Sequence, residues 1–388
     1  MFIKRLNLKN LLSFKDSAIE LGQLNVLIGP NAVGKSNLIE VIGLLQAAPV
    51  SIAAAILRGG GVRQWLWLGD SSPTASVNSE LILTRGRQVG PLLYTLEFAD
   101  LNGFAIVHER LAKAASDPGS DGVFLFRSGD GVEFRDKGRR PGLNPGLKIE
   151  VPLNESIFSQ FKNPADLTPT TEVGNHFARI KIFREFRTGP QSAARYGIST
   201  SVAKDALTDG ADNLALVLHE LDFLGVHERI RNYLRRFCER FDDVKINVGE
   251  GLARAYLREA GLTDMLSAIR MSDGTLKFLS LLAALFHPTP PPLMCIEEPE
   301  TGLHPDALQL VAEALIEASQ SMQLIVTTHS EALVDALTDQ PETVLVCERD
   351  FDNGTQMKHL SKEHLKQWLE HYTLGQLWRK GEIGGGRW

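Results

Sequence analysis

The eight residues Gly29-Pro30-Asn31-Ala32-Val33-Gly34-Lys35-Ser36 carry the spacing G-x-x-x-x-G-K-[ST] at every required position. That spacing suits one chemistry, the cradling of a chain of phosphates. Glycines at 29 and 34 let the backbone curl close to phosphate oxygens with no Cβ in the way. The N–H groups of such a turn point at the anion, beside roughly half a positive charge from the following helix. Lys35 then reaches the β- and γ-phosphates, the Ser36 hydroxyl binds Mg²⁺, and Asn37 follows in the same helical turn.

A second set of chemical residues lies far along the chain. Leu293-Met294-Cys295-Ile296 reads as a buried parallel strand and ends in Glu297-Glu298-Pro299-Glu300. Carboxylates at the carboxyl end of such a strand are where open α/β sheets place ligand chemistry. Two adjacent acids have two jobs: Glu297 is assigned to magnesium and Glu298 to polarising the attacking water. The next strand, Leu324 to Thr328, ends at His329 and Ser330. A histidine there either hydrogen-bonds a γ-phosphate or plays a structural part. Between the two sets, Ser272-Asp273-Gly274-Thr275 precedes a helix that is apolar nearly all round and must be buried. Ser272 reads as the N-cap of that helix, or, with Gly274, as a second phosphate-facing helix start. A phosphate loop already serves this chain's own nucleotide, so that second site would serve a partner's.

The positioning elements follow from periodicity. Leu24 to Ile28 is a short buried strand feeding the loop. Leu38, Val41, Ile42 and Leu45 form one apolar stripe on the helix after it. Alternation at Leu6 and Leu8, then at Ile19 and Leu21, predicts a hairpin with its turn over Asn10 to Asp16. From about residue 77 to 153, short strand-like runs alternate with turns, as at Asp117-Pro118-Gly119 and Ser128-Gly129-Asp130-Gly131. From about 205 to 240 the pattern is helical. Leu214, Val217, Leu218 and Leu221 make one stripe; Ile230, Tyr233, Leu234 and Phe237 make another. Arginines 229, 231, 235, 236 and 240 sit among the latter as a solvated or a nucleic-acid face. The basic run Arg135 to Arg140 reads as a solvated hairpin tip, with phosphate-backbone contact the alternative.

Bulk properties narrow the class. The 388 residues are 43% hydrophobic and 23% charged, ordinary for a globular chain, and allow two or three domains or one elaborated one. A formal charge of −6 makes no global case for nucleic-acid binding. Cys238, Cys295 and Cys347 are isolated, without metal-ligand spacing, and point to a reducing cytoplasm. No apolar run is long enough to cross a bilayer, and the first residues lack a signal-peptide core.

In order, GPNAVGKS, MSDGTLKFLSLLAAL, LMCIEEPETGLHP and LIVTTHS resemble the ABC-type ATPase head of the RecF/SMC/OLD-like branch, described as AAA-family ATPases. The middle stretch GADNLALVLHEL and the final LGQLWRKGEIGGGRW resemble one stand-alone bacterial subgroup. The resemblance implies an α/β P-loop NTPase fold with an N-terminal β-hairpin region and an inserted mixed β/helical second lobe. The expected division is an ATP-binding lobe from 1–110 and 271–388, with the second lobe at 111–270. It implies ATP and Mg²⁺ as cofactors and two heads sandwiching two ATP molecules head to tail. Ser272 to Thr275 becomes the signature contributed in trans, Glu300 to His304 the D-loop region, and His329 the switch histidine.

This sequence departs from the family pattern in places. The acid pair is Glu-Glu rather than Asp-Glu, the signature is S-D-G-T rather than S-G-G-Q, and no transporter-type glutamine loop can be placed. OLD-type relatives carry a TOPRIM nuclease. Asp350-Phe351-Asp352 mimics its acidic pair, but the short stretch after His329 leaves no room for the domain, so it reads as a hairpin turn. The expected function is therefore a cytoplasmic, Mg-dependent ATP hydrolase that dimerises around ATP. It would regulate a separately encoded effector, a nuclease among the candidates, in DNA maintenance or phage defence, with DNA a further candidate partner and no membrane. The competing reading is an ATP-dependent scaffold with negligible hydrolysis. Glu298 favours the hydrolase, and the lack of an N-K-x-D base-reading motif disfavours GTP.

Overall fold

The computed structural model describes residues 2–69, 74–83, 90–114, 123–128, 131–134, 148–160 and 168–385. The strands are β1 (Ile3–Leu11), β2 (Phe14–Glu20), β3 (Leu24–Ile28), β4 (Thr74–Leu81), β5 (Leu92–Asp100), β6 (Phe104–Lys113), β7 (Val123–Ser128), β8 (Gly131–Phe134) and β9 (Lys148–Glu150). They continue as β10 (Lys181–Phe183), β11 (Ile198–Ser199), β12 (Phe241–Gly249), β13 (Leu252–Glu259), β14 (Leu266–Ser267), β15 (Leu293–Glu297), β16 (Gln323–Thr327), β17 (Val344–Asp350) and β18 (Gly354–His359).

Among the described residues one sheet runs in the order β10-β15-β16-β3-β17-β18-β2-β1-β4-β5-β6-β7-β8-β9. Its first five strands are parallel, and β3, β15 and β16 are mostly apolar and almost wholly buried, as strands covered on both faces must be. From β17 onward each neighbour is antiparallel, and the half-buried β4 alternates inward and outward along its length. The fold is thus the expected mixed α/β one. A second, small sheet of β11-β13-β12 with β14 carries residues 198–267. Residues 111–270 therefore contribute both to this sheet and to the large one, through β7 to β10.

Gln323 ties the first strand to one far along the chain. Its buried amide accepts from Phe2 and Ile3 N–H at 3.1 and 2.8 Å and donates to the Ile3 and Gly22 carbonyls at 2.7 and 2.8 Å, fixing β1 against the start of β16. The first hairpin turns more sharply than its sequence indicates. Leu11 pairs directly with Phe14, so only Leu12 and Ser13 form the turn, with Leu12 at φ 51°. The Asp350–Asn353 turn is a hairpin as read: Asp350 Oδ1 accepts from the N–H of Asp352 at 2.9 Å and of Asn353.

The arginines of helix His227–Phe237 are matched by acids. Arg229 pairs with Glu317, Arg236 with Glu313, Arg231 with Glu228 and Asp242, Arg235 with Asp242, and the following Arg240 with Glu259. A face so neutralised holds little net charge for a phosphate backbone. The Arg135 to Arg140 run and Asp117-Pro118-Gly119 lie outside the described residues.

Candidate functional site

Register assembles the site. Glu297 lies opposite Thr327, and Thr327 opposite Leu27, so β15, β16 and β3 end side by side. Glu297 and Glu298, then His329, and then Gly29 leave the sheet at the same carboxyl edge.

Both loop glycines are needed where they stand. Gly29 has φ 147°, and a Cβ there would lie 2.5 Å from the Cys347 carbonyl oxygen of β17. Gly34 has φ 111°, and a Cβ there would lie 2.4 Å from Thr355 Oγ1 and 2.6 Å from Ser13 Oγ. These hydroxyls form a polar wall behind the loop. Thr355 donates to the Val33 carbonyl at 2.6 Å, its oxygen lies 2.8 Å from Ser13 Oγ, and Asn37 Nδ2 donates to Ser13 Oγ at 2.8 Å. Lys35 starts helix Lys35–Ala47 and folds its ammonium onto the loop, donating to the Gly29 and Pro30 carbonyls at 2.6 and 2.9 Å. Burial lowers its pKa, and the nearby carboxylates of Glu298 and Glu300 oppose the shift. Asn31, Ala32 and Ser36 are exposed, and Ala32 sits at φ 61°.

On the acidic side Ser36 donates to Glu297 Oε2 at 3.1 Å. The other oxygen of Glu297 accepts from Arg184 at 3.0 Å, and Arg184 also pairs with Glu40 at 2.9 Å. Burial raises the Glu297 pKa, with Arg184 and Ser36 pulling it back. Glu298 is held at φ 45°, an outlier for a side chain of this size, while its N–H donates to the Thr327 carbonyl at 3.0 Å. Its Oε1 lies 3.8 Å from His329 Nε2, and Thr301 donates to its Oε2 at 3.4 Å. Glu300 accepts at one oxygen from the His329 N–H and the Thr328 hydroxyl, both at 2.8 Å, and so sets the end of β16. Beside the loop a pocket of about 590 Å³ runs from Pro30–Val33 to Leu12, Trp67 and Phe351. Its size is ordinary for a site that takes a small molecule. Arg349 lies 5.7 Å over the Trp67 ring, and Phe351 is fully exposed at its rim.

Residues 120–335, more than half of the chain, match the family described as "AAA domain, putative AbiEii toxin, Type IV TA system". The chain belongs to this family. Residues 1–55 match a second model, the AAA ATPase domain. Together the two matches carry both the phosphate-loop and the acidic halves of the site. Among solved structures the AAA-family chain is similar to the SMC head bound to the C-terminal winged-helix domain of ScpA, at 14% identity and TM-score 0.55, covering 94% of this chain and 99% of that one. It is also similar to an SMC head with an extended coiled coil, bound to the C-terminal domain of ScpA, from Pyrococcus furiosus. There the identity is 16% and the TM-score 0.53, covering 95% and 98%. Such likeness establishes the fold, the P-loop NTPase head. No curated protein matches the chain significantly.

Ser272 and Gly274 of this AAA-family chain are not part of the cluster around Lys35. Ser272 caps helix Asp273–Leu285, accepting from the Thr275 N–H at 3.1 Å, and its hydroxyl lies 2.8 Å from that of Thr275. Gly274 abuts the loop after the acids, where a Cβ would stand 3.0 Å from the Gly302 carbonyl. What orients this helix start is Arg195, which motif reading overlooked. Its buried guanidinium donates to the Thr188 carbonyl at 2.8 Å, to the Met271 and Ala268 carbonyls at 2.6 and 3.2 Å, and to Asp273. Arg184 escaped notice for the same reason. Neither arginine stands in a motif, and only the adjacency of β10 to β15 brings Arg184 to Glu297.

The residues present fit a nucleotide and its magnesium. The two glycines leave a backbone cradle that a Cβ would fill, and a lysine stands at its floor. Ser36 and Glu297 offer a hydroxyl and a carboxylate at one point. Mg²⁺ in phosphoryl-transfer sites takes one or two protein oxygens plus phosphates and water. Accordingly, among the described residues no cluster of three or more metal-ligating side chains is required or found.

Proposed function

We propose that this chain is a Mg-dependent ATP hydrolase that acts as a switch. Two copies would close head to tail around ATP and pass the signal to a separately encoded effector in DNA maintenance or phage defence. The observation that carries the reading is the meeting of Lys35, Ser36, Glu297, Glu298 and His329 at one edge of three adjacent parallel strands. In it Gly29 to Asn37 and Lys35 hold the phosphates. Ser36 and Glu297 would hold the metal, whose charge would offset that gathering on the phosphate oxygens. Glu298 draws a proton from the attacking water, and His329, 3.8 Å away, orients that carboxylate or meets the γ-phosphate. Ser272 and Gly274, presented by Arg195, complete the site of the second copy.

The type IV toxin–antitoxin description of the family supports a defence setting. The SMC heads bound to ScpA domains support the use of such a head to engage another protein. Among the described residues no helix is long and apolar enough to cross a membrane.

Lys35→Ala tests the reading directly. The ammonium is the mobile cation of the loop, and each charge-assisted hydrogen bond lost should cost roughly 1.5–3 kcal/mol. Titration with a fluorescent ATP analogue should show binding abolished or nearly so, and near-normal affinity would refute the assignment. The raised pKa of Glu297 adds a second test. Only the carboxylate ligates metal, so a proton competes with Mg²⁺ up to a higher pH than at an ordinary glutamate. Mg²⁺ titrations with a non-hydrolysable ATP analogue should therefore weaken early on acidification. A Glu297→Gln protein, already weaker, should lose that pH dependence. Equal pH profiles for the two proteins would remove Glu297 from the metal site.

A further inference from the structure

The segment Thr373–Gly385 has no part in the reading above, yet it touches both halves of the site. Its helix, Leu374–Lys380, rests on helix Glu331–Asp335, which begins two residues after His329. The approach is close. Gly375 N–H donates to Asp335 Oδ1 at 2.7 Å, and a Cβ on Gly375 would stand 2.6 Å from that carboxylate and from the Glu331 carbonyl. Arg379 adds an ion pair to Glu331 at 3.6 Å.

The other end reaches the phosphate loop. The chain turns at Gly381, φ 79°, buries Ile383, and continues with Gly384 and Gly385 at φ 77° and 60°. Trp378 Nε1 donates to the Gly385 carbonyl at 2.8 Å, and the Gly385 N–H donates to Glu348 Oε1 of β17 at 3.3 Å. A Cβ on Gly385 would lie 3.3 Å from Gly29 Cα and 3.2 Å from Val346 Cγ1. Gly29 is thus confined between the Cys347 carbonyl and the backbone of Gly385. A glycine at positive φ has no side chain to hold it, so contacts to its backbone fix its conformation, here the Lys35 bond to its carbonyl together with the packing of Cys347 and Gly385.

We propose that Thr373–Gly385 is a clamp that holds Gly29 in fixed position relative to the His329 segment, and that its residues set nucleotide affinity without touching nucleotide. The inference rests on the reading of Gly29–Ser36 as a nucleotide loop. Glu348, Trp378, Gly384 and Gly385 are positioning residues. A loop held in its bound shape does not have to be ordered when the ligand arrives, and a released one does.

The test compares binding of a fluorescent ATP analogue with Mg²⁺ in the full chain and in three variants, alongside thermal unfolding. Gly385→Val drives a side chain at Gly29 and Val346 and should weaken binding by about tenfold or more. Glu348→Ala removes the acceptor of the Gly385 N–H and should weaken binding severalfold, whereas Glu348→Gln keeps a carbonyl oxygen and should bind nearly as wild type. Wild-type affinity in both Gly385→Val and Glu348→Ala overturns the clamp. If Gly385→Val unfolds, the exposed Glu348 decides: equal affinities for its Ala and Gln variants overturn the clamp, and a weaker Ala variant supports it. Failure of the wild-type chain to bind the analogue overturns instead the nucleotide reading beneath it.

Discussion

Glu298→Gln should bind ATP normally and lose turnover by about 10²–10⁴-fold, the usual worth of a positioned general base. The amide matches the carboxylate in shape and keeps one acceptor, but it takes no proton at neutral pH. The backbone supports the substitution. Glu298 is fixed at φ 45° by its N–H bond to the Thr327 carbonyl, which involves no side-chain atom of its own. The geometry of the loop should therefore survive, and ATP should accumulate in a long-lived complex. Rapid-quench measurement of one turnover separates binding from cleavage. Wild-type turnover would move the catalytic role to Glu297 or to His329, whose ring lies 3.8 Å from the same carboxylate.

Ser272→Arg should abolish most hydrolysis alone and regain part of it when mixed with Lys35→Ala. If Ser272 only caps its helix, its loss costs about 1 kcal/mol of stability and leaves turnover per site independent of protein concentration. If it serves a partner's γ-phosphate, a trans-acting group of this kind is worth on the order of 10³-fold in rate. A mixed dimer then holds one site with an intact loop and an intact signature. Specific activity of the wild type should also rise with concentration until dimers saturate, and Glu298→Gln with ATP should elute as a dimer. The in-chain contacts of Ser272 go to Thr275, so a cap alone accounts for the monomer. Concentration-independent turnover with no rescue on mixing would leave it as nothing more.

Much of the site was legible because its chemistry is written in short contiguous runs. Gly29 to Ser36 and Glu297-Glu298 each end a buried, mostly apolar strand, Val26 to Ile28 and Leu293 to Ile296 being unbroken runs that pattern reading detects. The supports were not legible. Ser13 and Thr355 meet behind Gly34 across most of the chain, Arg184 reaches Glu297 through strand adjacency, and Gly385 reaches Gly29 through a turn of glycines. None has a local signature, since the order of strands in the sheet decides each pairing. The arginines of 229–240 show the reverse limit. Their density alone leaves a solvated or a nucleic-acid face open, and acids supplied from elsewhere, Glu313 and Glu317 among them, favour the solvated one.

The sheet order also constrains how the molecule can be made. The phosphate-loop strand β3 is complete by residue 28, but its flanking partners are β16 and β17, from residues 323–327 and 344–350. A nascent chain grows at about 5–20 residues per second, so the loop waits tens of seconds for the strands that seal it. Meanwhile β1 with β2, and β4 to β9 in succession, can pair as local hairpins, and β1 joins β4 across the longer stretch from Ile3 to Leu81. β3 itself is then an unpaired segment, apolar but for Asn25, inviting aggregation or a chaperone. On the proposed function, an incomplete copy would therefore not be competent to bind nucleotide, or to close on a second copy, until synthesis has passed Asp350.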